Sequence, residues 1–456
     1  MKKSLVALAV LAATGAYAQS SVTLYGIVEA TTDIGYNRNV DIRTTTNTFT
    51  PSGVAVSSGT TATSARQKNN FRVQDGSDQG TGTSRVGFRG TEDLGGGLKA
   101  NFVLEMGLRS DDGCTTLGAV TTTTISGTGA PTATSATACN NGGGSAESGG
   151  STFGRNAWGG LSGGFGEVRV GRQVLGSYGV QANSEPTGAS LGLYNSSATQ
   201  SLPMGGVRFS NAIKYLSPNF GGFTANVTLA APETGANTFT APANNTASRR
   251  TGVDLALEYA NGPAYIGFGY NKRDAGNITS VTTGVSTVGV SPGVVNAYTV
   301  GGSYDLGVVK PFINYTRQTT DVAGSTVAPV GSATASNASN ANARALSVGL
   351  RAPVGPFTVI AGFGRVNADT TGSTVATTAG GVTTLTSTTQ DNRRDSFQLG
   401  AQYALSKRTL VEANYGYAKL RGNGSSVATS PAGRTDTFTL SNDRVSALNV
   451  GLKHSF

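Results

Sequence analysis

Side chains able to do bond chemistry are few in this sequence, and their spacing gives none of them a partner. The one histidine, His454, lies two residues from the C-terminus. Alternation puts it on an apolar face, a poor place for a general base that must reach a substrate proton. No G-x-S-x-G, H-E-x-x-H or Walker loop is present, so no nucleophile elbow, zinc-hydrolase helix or phosphate cradle is encoded. The sequence therefore calls for no catalytic residue, no metal and no cofactor. The two cysteines, Cys114 and Cys139, lie in one Gly/Ser/Thr-rich stretch. If the chain is exported they meet an oxidising compartment, and a disulfide that staples a loop is expected. Two free thiols are the alternative. Closure of such a loop is worth about 3 kcal/mol at most.

The first residues point to export. Lys2 and Lys3 precede a short apolar run, Leu5 to Ala13, and Ala16-Tyr17-Ala18 has the A-x-A form of a cleavage site. Residues 1–18 thus read as a signal peptide, with the mature chain over 19–456. The apolar run is shorter than the ~20 residues a spanning helix needs. Removing residues 1–18, which hold two lysines and no acid, leaves 32 basic against 25 acidic side chains. A basic surplus can serve nucleic acid, an anionic surface or an anion path. There is no run of five basic residues and no nucleic-acid motif, so nucleic acid is set aside. The charges fall singly along strand-like segments, which suits a lumen or solvated loops.

The elements that must carry those charges alternate with a period of two. Leu98, Ala100, Phe102, Leu104, Met106 and Leu108 share one face of residues 97–109, while Lys99, Asn101, Glu105 and Arg109 share the other. Val253, Leu255, Leu257 and Tyr259 likewise oppose Asp254 and Glu258. Tight Gly/Pro/Asp turns, as at 93–97, 217–222 and 353–356, take turns with long polar stretches such as 37–83, 173–207, 318–343, 367–394 and 421–441. Short turns on one rim and long loops on the other mark an outer-membrane barrel, whereas a compact soluble domain does not tolerate so many structureless loops. Segments between these markers number sixteen, from 21–36 to 443–456. The expected fold is all-β: a transmembrane antiparallel sixteen-stranded barrel. Closure matters because within lipid every backbone donor and acceptor needs a partner.

Several ordered motifs carry a resemblance. They are Ser21-Val22-Thr23-Leu24-Tyr25-Gly26; Ser84 to Gly95; Leu98-Lys99-Ala100; Phe165-Gly166 to Gly171-Arg172-Gln173; Arg208 to Ile213 with Tyr215; Ser217-Pro218; Phe220 to Phe223; and terminal Lys453-His454-Ser455-Phe456. Together they span the mature length. The sequence resembles the β-proteobacterial general porins, the trimeric sixteen-stranded family. The resemblance implies a homotrimer in outer-membrane lipid, and insertion by the outer-membrane assembly machinery, which reads Phe456. It implies passive passage of small hydrophilic solutes and ions. It also implies a third long loop, 173–207 by order, folded inward to narrow the pore, with arginines on the facing wall and acids on the loop.

On that pattern the constriction is expected to comprise Arg85, Arg172, Arg208 and the loop's one acid, Glu185. Phase supports Arg85 and Arg89, which oppose Val86 and Phe88. It also supports Arg208, which is opposite in phase to Phe209, Ile213 and Tyr215, and Lys214 shares its face. Arg172 shares the parity of Val168 and Val170, and faces inward if Gly171 admits a bulge or bend that turns it. Several arginines against one acid predict anion preference. Rival channels fit less well. Sugar-specific barrels use more strands and an aromatic slide, and here Trp158 is the one tryptophan. An autotransporter carries a passenger before the barrel, and here the first strand follows the signal at once.

Overall fold

A computed structural model describes residues 21–49, 55–74, 84–110, 124–125, 131–132, 152–188, 206–231, 247–248, 251–274, 277–279, 289–291, 293–327, 335–371, 375–379, 382–430 and 433–456. Residues 1–18, Cys114 and Cys139 lie outside them.

Sixteen antiparallel strands form a closed wall. In chain order they are β1 (Ser21–Phe49), β2 (Arg85–Gly95), β3 (Leu98–Gly107), β4 (Asn156–Gly163), β5 (Gly166–Val174), β6 (Arg208–Leu216), β7 (Phe223–Ala230) and β8 (Gly252–Asn261). Then follow β9 (Ala264–Asp274), β10 (Gly293–Tyr304), β11 (Lys310–Val327), β12 (Ala335–Val354), β13 (Phe357–Thr371), β14 (Val382–Ala404), β15 (Thr409–Ser430) and β16 (Gly433–Ser455). Each pairs with its sequence neighbour, and β16 closes the ring on β1 from Ile27↔Ser455 upward. Phe456 completes the seam, exchanging backbone hydrogen bonds of 3.1 and 3.0 Å with Gly26. A Cβ on Gly26 would run into the Phe456 ring, so glycine leaves room for the terminal aromatic.

Burial is inverted relative to a soluble protein. Ile266, Val300, Ile313 and Leu399 are about half exposed, whereas Asp254, Asn271 and Thr228 are buried. Alternation sends apolar side chains out to lipid and polar ones in, as the sequence predicts. Aromatic pairs mark both ends of the outer band: Phe223–Tyr259 and Phe357–Tyr403 beside the tight turns, Tyr270–Tyr298 toward the long connections. The tight turns are held by short side chains that mimic backbone. Asp93 Oδ1 accepts from Gly95 N at 2.9 Å, and Asp305 Oδ1 from Gly307 N at 2.8 Å.

Several stretches read as loops are strand instead. β11 runs to Val327, β14 begins at Val382, and Ala55–Gln74 pairs with β1 above the wall. Their sequence is Thr/Ser-rich with few apolar residues, so the period-two signal fades, but β-branched threonine still favours extended backbone. These hairpins rise past the apolar band, where no lipid face has to be coded.

Candidate functional site

The described part of the connection from β5 to β6 carries the helix α1 (Gly176–Asn183), which lies against the polar faces of β7 to β10. A helix start leaves backbone N–H groups without intrahelical partners, and α1 has no side-chain cap of its own. Asp254 of β8, three strands further along the wall, supplies one. Its carboxylate accepts from Gly176 N at 2.7 Å, from Ser177 N at 3.3 Å, and from Ser177 Oγ. Lys214 Nζ donates to Val174 O at 3.0 Å just before the helix.

Past the helix, Asn314 Nδ2 donates to Ser184 Oγ at 2.7 Å, and Ser347 Oγ donates to Glu185 Oε1 at 3.1 Å. Four glycines form the seat. A Cβ at Gly269 would come within 2.7 Å of Ser177, at Gly267 within 2.8 Å of Val180 and at Gly349 within 2.6 Å of Pro186; at Gly301 it would run into Ser184. Inward positions of β9, β10 and β12 are thus kept bare so that residues 177–186 can lie flat on the wall.

The facing wall is basic. Arg85, Arg89, Arg155 and Arg169 come from β2, β5 and the residue before β4. Arg155 Nε pairs with Glu105 Oε1 at 2.7 Å, and Tyr25 OH donates to Glu105 Oε2 at 2.9 Å. Arg85 is electrostatically coupled to Glu105, Arg155 and, across the gap, Tyr178 of α1. Arg169 pairs with Glu167 at 2.6 Å and lies over the Trp158 ring at 4.1 Å; Arg89 lies over Tyr25 at 5.2 Å. Such stacking holds a guanidinium in place without neutralising it. Between this wall and α1 runs a cavity of about 480 Å³, lined among others by Arg89, Arg169, Lys214 and Glu258. A second, of about 420 Å³, shares Arg89, Trp158 and Arg169 and extends toward Ser21.

The expected site residues divide. Arg85 lies inward, beside Glu105. Glu185 lies on the inward segment and is buried. Arg172 and Arg208 meet neither cavity. The two-for-one step between β5 and β6 falls on Ser210-Asn211, where Gly171 pairs with Ala212 but Gln173 with Phe209. Asn211 adopts φ 49°, a left-handed conformation that Asn tolerates. The step inverts the phase of β6 below it. Phe209 turns in against Leu175 and Ala212, so the unbroken alternation that supported Arg208 fails. Arg172 keeps its register opposite Ala157, with Val170 opposite Gly159. Its guanidinium donates to Gly154 O at 2.6 Å and Ser210 Oγ at 2.7 Å. The bulge foreseen at Gly171 lies on the partner strand. Sequence reasoning did not single out Arg169 or the cap by Asp254, although strand parity marked both as inward.

Glu185 is 2% exposed. Burial pushes its carboxyl up to about 8, against the hydrogen bond from Ser347. At pH 7 it is mostly protonated and adds little negative charge. A raised folded value means the seated segment holds a proton that the unseated one releases near the ordinary 4.5. Seating is therefore strongest below that value and weakens as pH rises through about 8. Single-channel current should become noisier between pH 6 and 9 in the wild type and stay level in Glu185→Gln. Identical pH profiles for the two would refute this assignment.

A closed, lipid-facing barrel with a charged gap beside an inward segment defines an outer-membrane diffusion channel. The family model for Gram-negative porins matches residues 4–423, and the chain belongs to that family. It is 29% identical to an outer membrane porin protein of Bordetella pertussis and 29% identical to outer membrane porin protein 32 of Delftia acidovorans, over the whole of each chain. Its fold is similar to the anion-selective porin from Comamonas acidovorans, with a TM-score of 0.50 at 22% identity, covering 96% of this chain and 100% of the other. The protein is an outer-membrane porin, a passive route for small hydrophilic solutes.

Proposed function

We propose that this porin prefers anions, and that the gap between the arginine wall and the α1 segment is its constriction. One observation carries the reading: Arg89, Arg169 and Lys214 line the larger cavity against one acid, Glu258. Arg85 adds to the wall, while Glu185 is mostly neutral. Low-dielectric walls strengthen such a field, and salt screens it over about 8 Å at physiological ionic strength. The fold-sharing Comamonas acidovorans porin is anion-selective, and the charge balance here supports the same sign. Export through residues 1–18, assembly as a homotrimer and insertion by the outer-membrane machinery belong to the same proposal, supported by family membership.

Purified protein in a planar bilayer under a tenfold KCl gradient is expected to give a reversal potential on the chloride side. A potential on the potassium side would sink the anion assignment and leave the barrel intact.

A further inference from the structure

The charged gap has an apolar floor. Arg89 of β2, Val103 of β3 and Trp158 of β4 are direct cross-strand partners, in register with Gly171 of β5. Neighbouring strands lie about 4.8 Å apart, so roughly 10 Å of wall separates the backbone of Arg89 from that of Trp158. Val103 has the parity of Asn101 and Glu105, and is the apolar exception on the inward face of β3. Leu216 of β6 has the parity of Lys214 and lines the same cavity, as does Leu175 at the start of the inward segment.

Other inward apolar side chains are packed out of reach: Val295, Ile360 and Val445 are 3, 1 and 2% exposed. Val103, Trp158 and Leu216 instead stay partly exposed and line the cavity of about 480 Å³. Apolar surface facing water gains free energy when an apolar body covers it. A concave site with apolar walls and a few placed charges is the usual form of a site for an organic ligand. The charges here are cationic at the near end. Arg89 and Arg169 lie over aromatic rings, which fixes their guanidinium groups and leaves them charged.

We propose that this cavity binds organic carboxylates whose body is apolar, such as a saturated ring or a branched alkyl group. The carboxylate meets Arg89 and Arg169, and the body lies over Val103, Trp158 and Leu216. The inference rests on the anion preference proposed above and adds a choice among anions of equal charge.

The probes are cyclohexanecarboxylate, acetate and gluconate at pH 7, each with one negative charge. Acetate is smaller than the ring acid and gluconate is larger, so size alone cannot rank the ring acid first. Purified porin in a planar bilayer is titrated with each while chloride current is recorded. Cyclohexanecarboxylate should halve the current at a concentration about tenfold lower than either other acid, a factor that roughly two newly covered methylene groups supply. Trp158 is the one tryptophan of the chain, so its emission reports this site. That emission should shift to the blue and saturate with cyclohexanecarboxylate, and stay still with the other two. The variant V103T/L216N keeps every arginine and should lose most of the tenfold preference while retaining the heat-resistant mobility of a folded barrel. Chloride preference in a KCl gradient together with equal half-blocking concentrations overturns this inference and leaves the anion reading standing. Potassium preference overturns both. A Trp158 emission that does not respond overturns the inference too, and these wild-type arms need no variant. Undiminished preference in the folded variant does the same.

Discussion

Replacing Arg89 and Arg169 together by glutamine should abolish anion preference and bring the channel to neutrality or to cation preference. The larger cavity holds Arg89, Arg169 and Lys214 against Glu258. The double variant leaves one cation facing one acid there. In the smaller cavity it leaves Glu167 without its 2.6 Å partner. A unit charge about 8 Å from a permeating ion acts with roughly 2 kcal/mol at an effective dielectric of ~20. Screening over one Debye length reduces that to about 1 kcal/mol. Two such charges change the anion-to-cation permeability ratio by about tenfold or more. The measurement is the reversal potential in a KCl gradient, with conductance in symmetric salt as the control for pore size. Glutamine keeps most of the volume and can still stack on Trp158 and Tyr25, so conductance should change little. An unchanged reversal potential would mean that ions pass elsewhere in the lumen. Arg172→Gln is the internal comparison. Its guanidinium is engaged by Gly154 and Ser210 away from both cavities, so its effect on selectivity should be small.

The wall of this protein was legible because lipid imposes a strict code. Every residue on the outer face between the two aromatic levels must be apolar, and strands such as β8 and β14 display that face at every second position. The code lapses in two places for physical reasons. Above the membrane both faces are wet, so the Thr/Ser-rich ends of β11 to β16 carry no alternation and read as loops. At Ser210-Asn211 an extra residue shifts phase, and parity counted from Ile213 misplaces Phe209 and Arg208. Asn at that point was a usable sign, since it enters left-handed backbone more readily than most residues. The site was less legible than the wall. Arg85 and Arg89 followed from strand phase, but the inward segment is placed by groups distant in sequence: Asp254 lies 78 residues from Gly176, and Ser347 lies 162 from Glu185. No local pattern announces such pairings. Their only trace is the run of inward glycines, Gly267, Gly269 and Gly301, where other strands carry Thr, Asn or Gln.

Those glycines give the second large effect. Gly269→Val should leave the barrel folded and widen the pore. Valine suits a strand, and Gly269 does not occupy the left-handed region, so the wall tolerates the change. The seat does not. The new Cβ would lie 2.7 Å from the Cα of Ser177. Backbone cannot rotate out of the way as a side-chain tip can, and overpacking of this kind costs about 1–3 kcal/mol. Asp254→Ala attacks the same seat from its other anchor, removing the cap from Gly176 and Ser177 at a cost of about 0.5–2 kcal/mol. Either change should raise single-channel conductance by roughly half to twofold, because the narrowest part of a pore dominates its resistance. Both should also weaken ion preference as the segment withdraws from the arginines. Because the two act on one contact, their combination should give less than the sum of the separate effects. Ile266→Val, one strand position away from Gly267 but facing lipid, should change neither quantity. Conductance that stays at the wild-type value in both Gly269→Val and Asp254→Ala, with normal heat resistance of the barrel, would show that residues 176–186 do not limit flow.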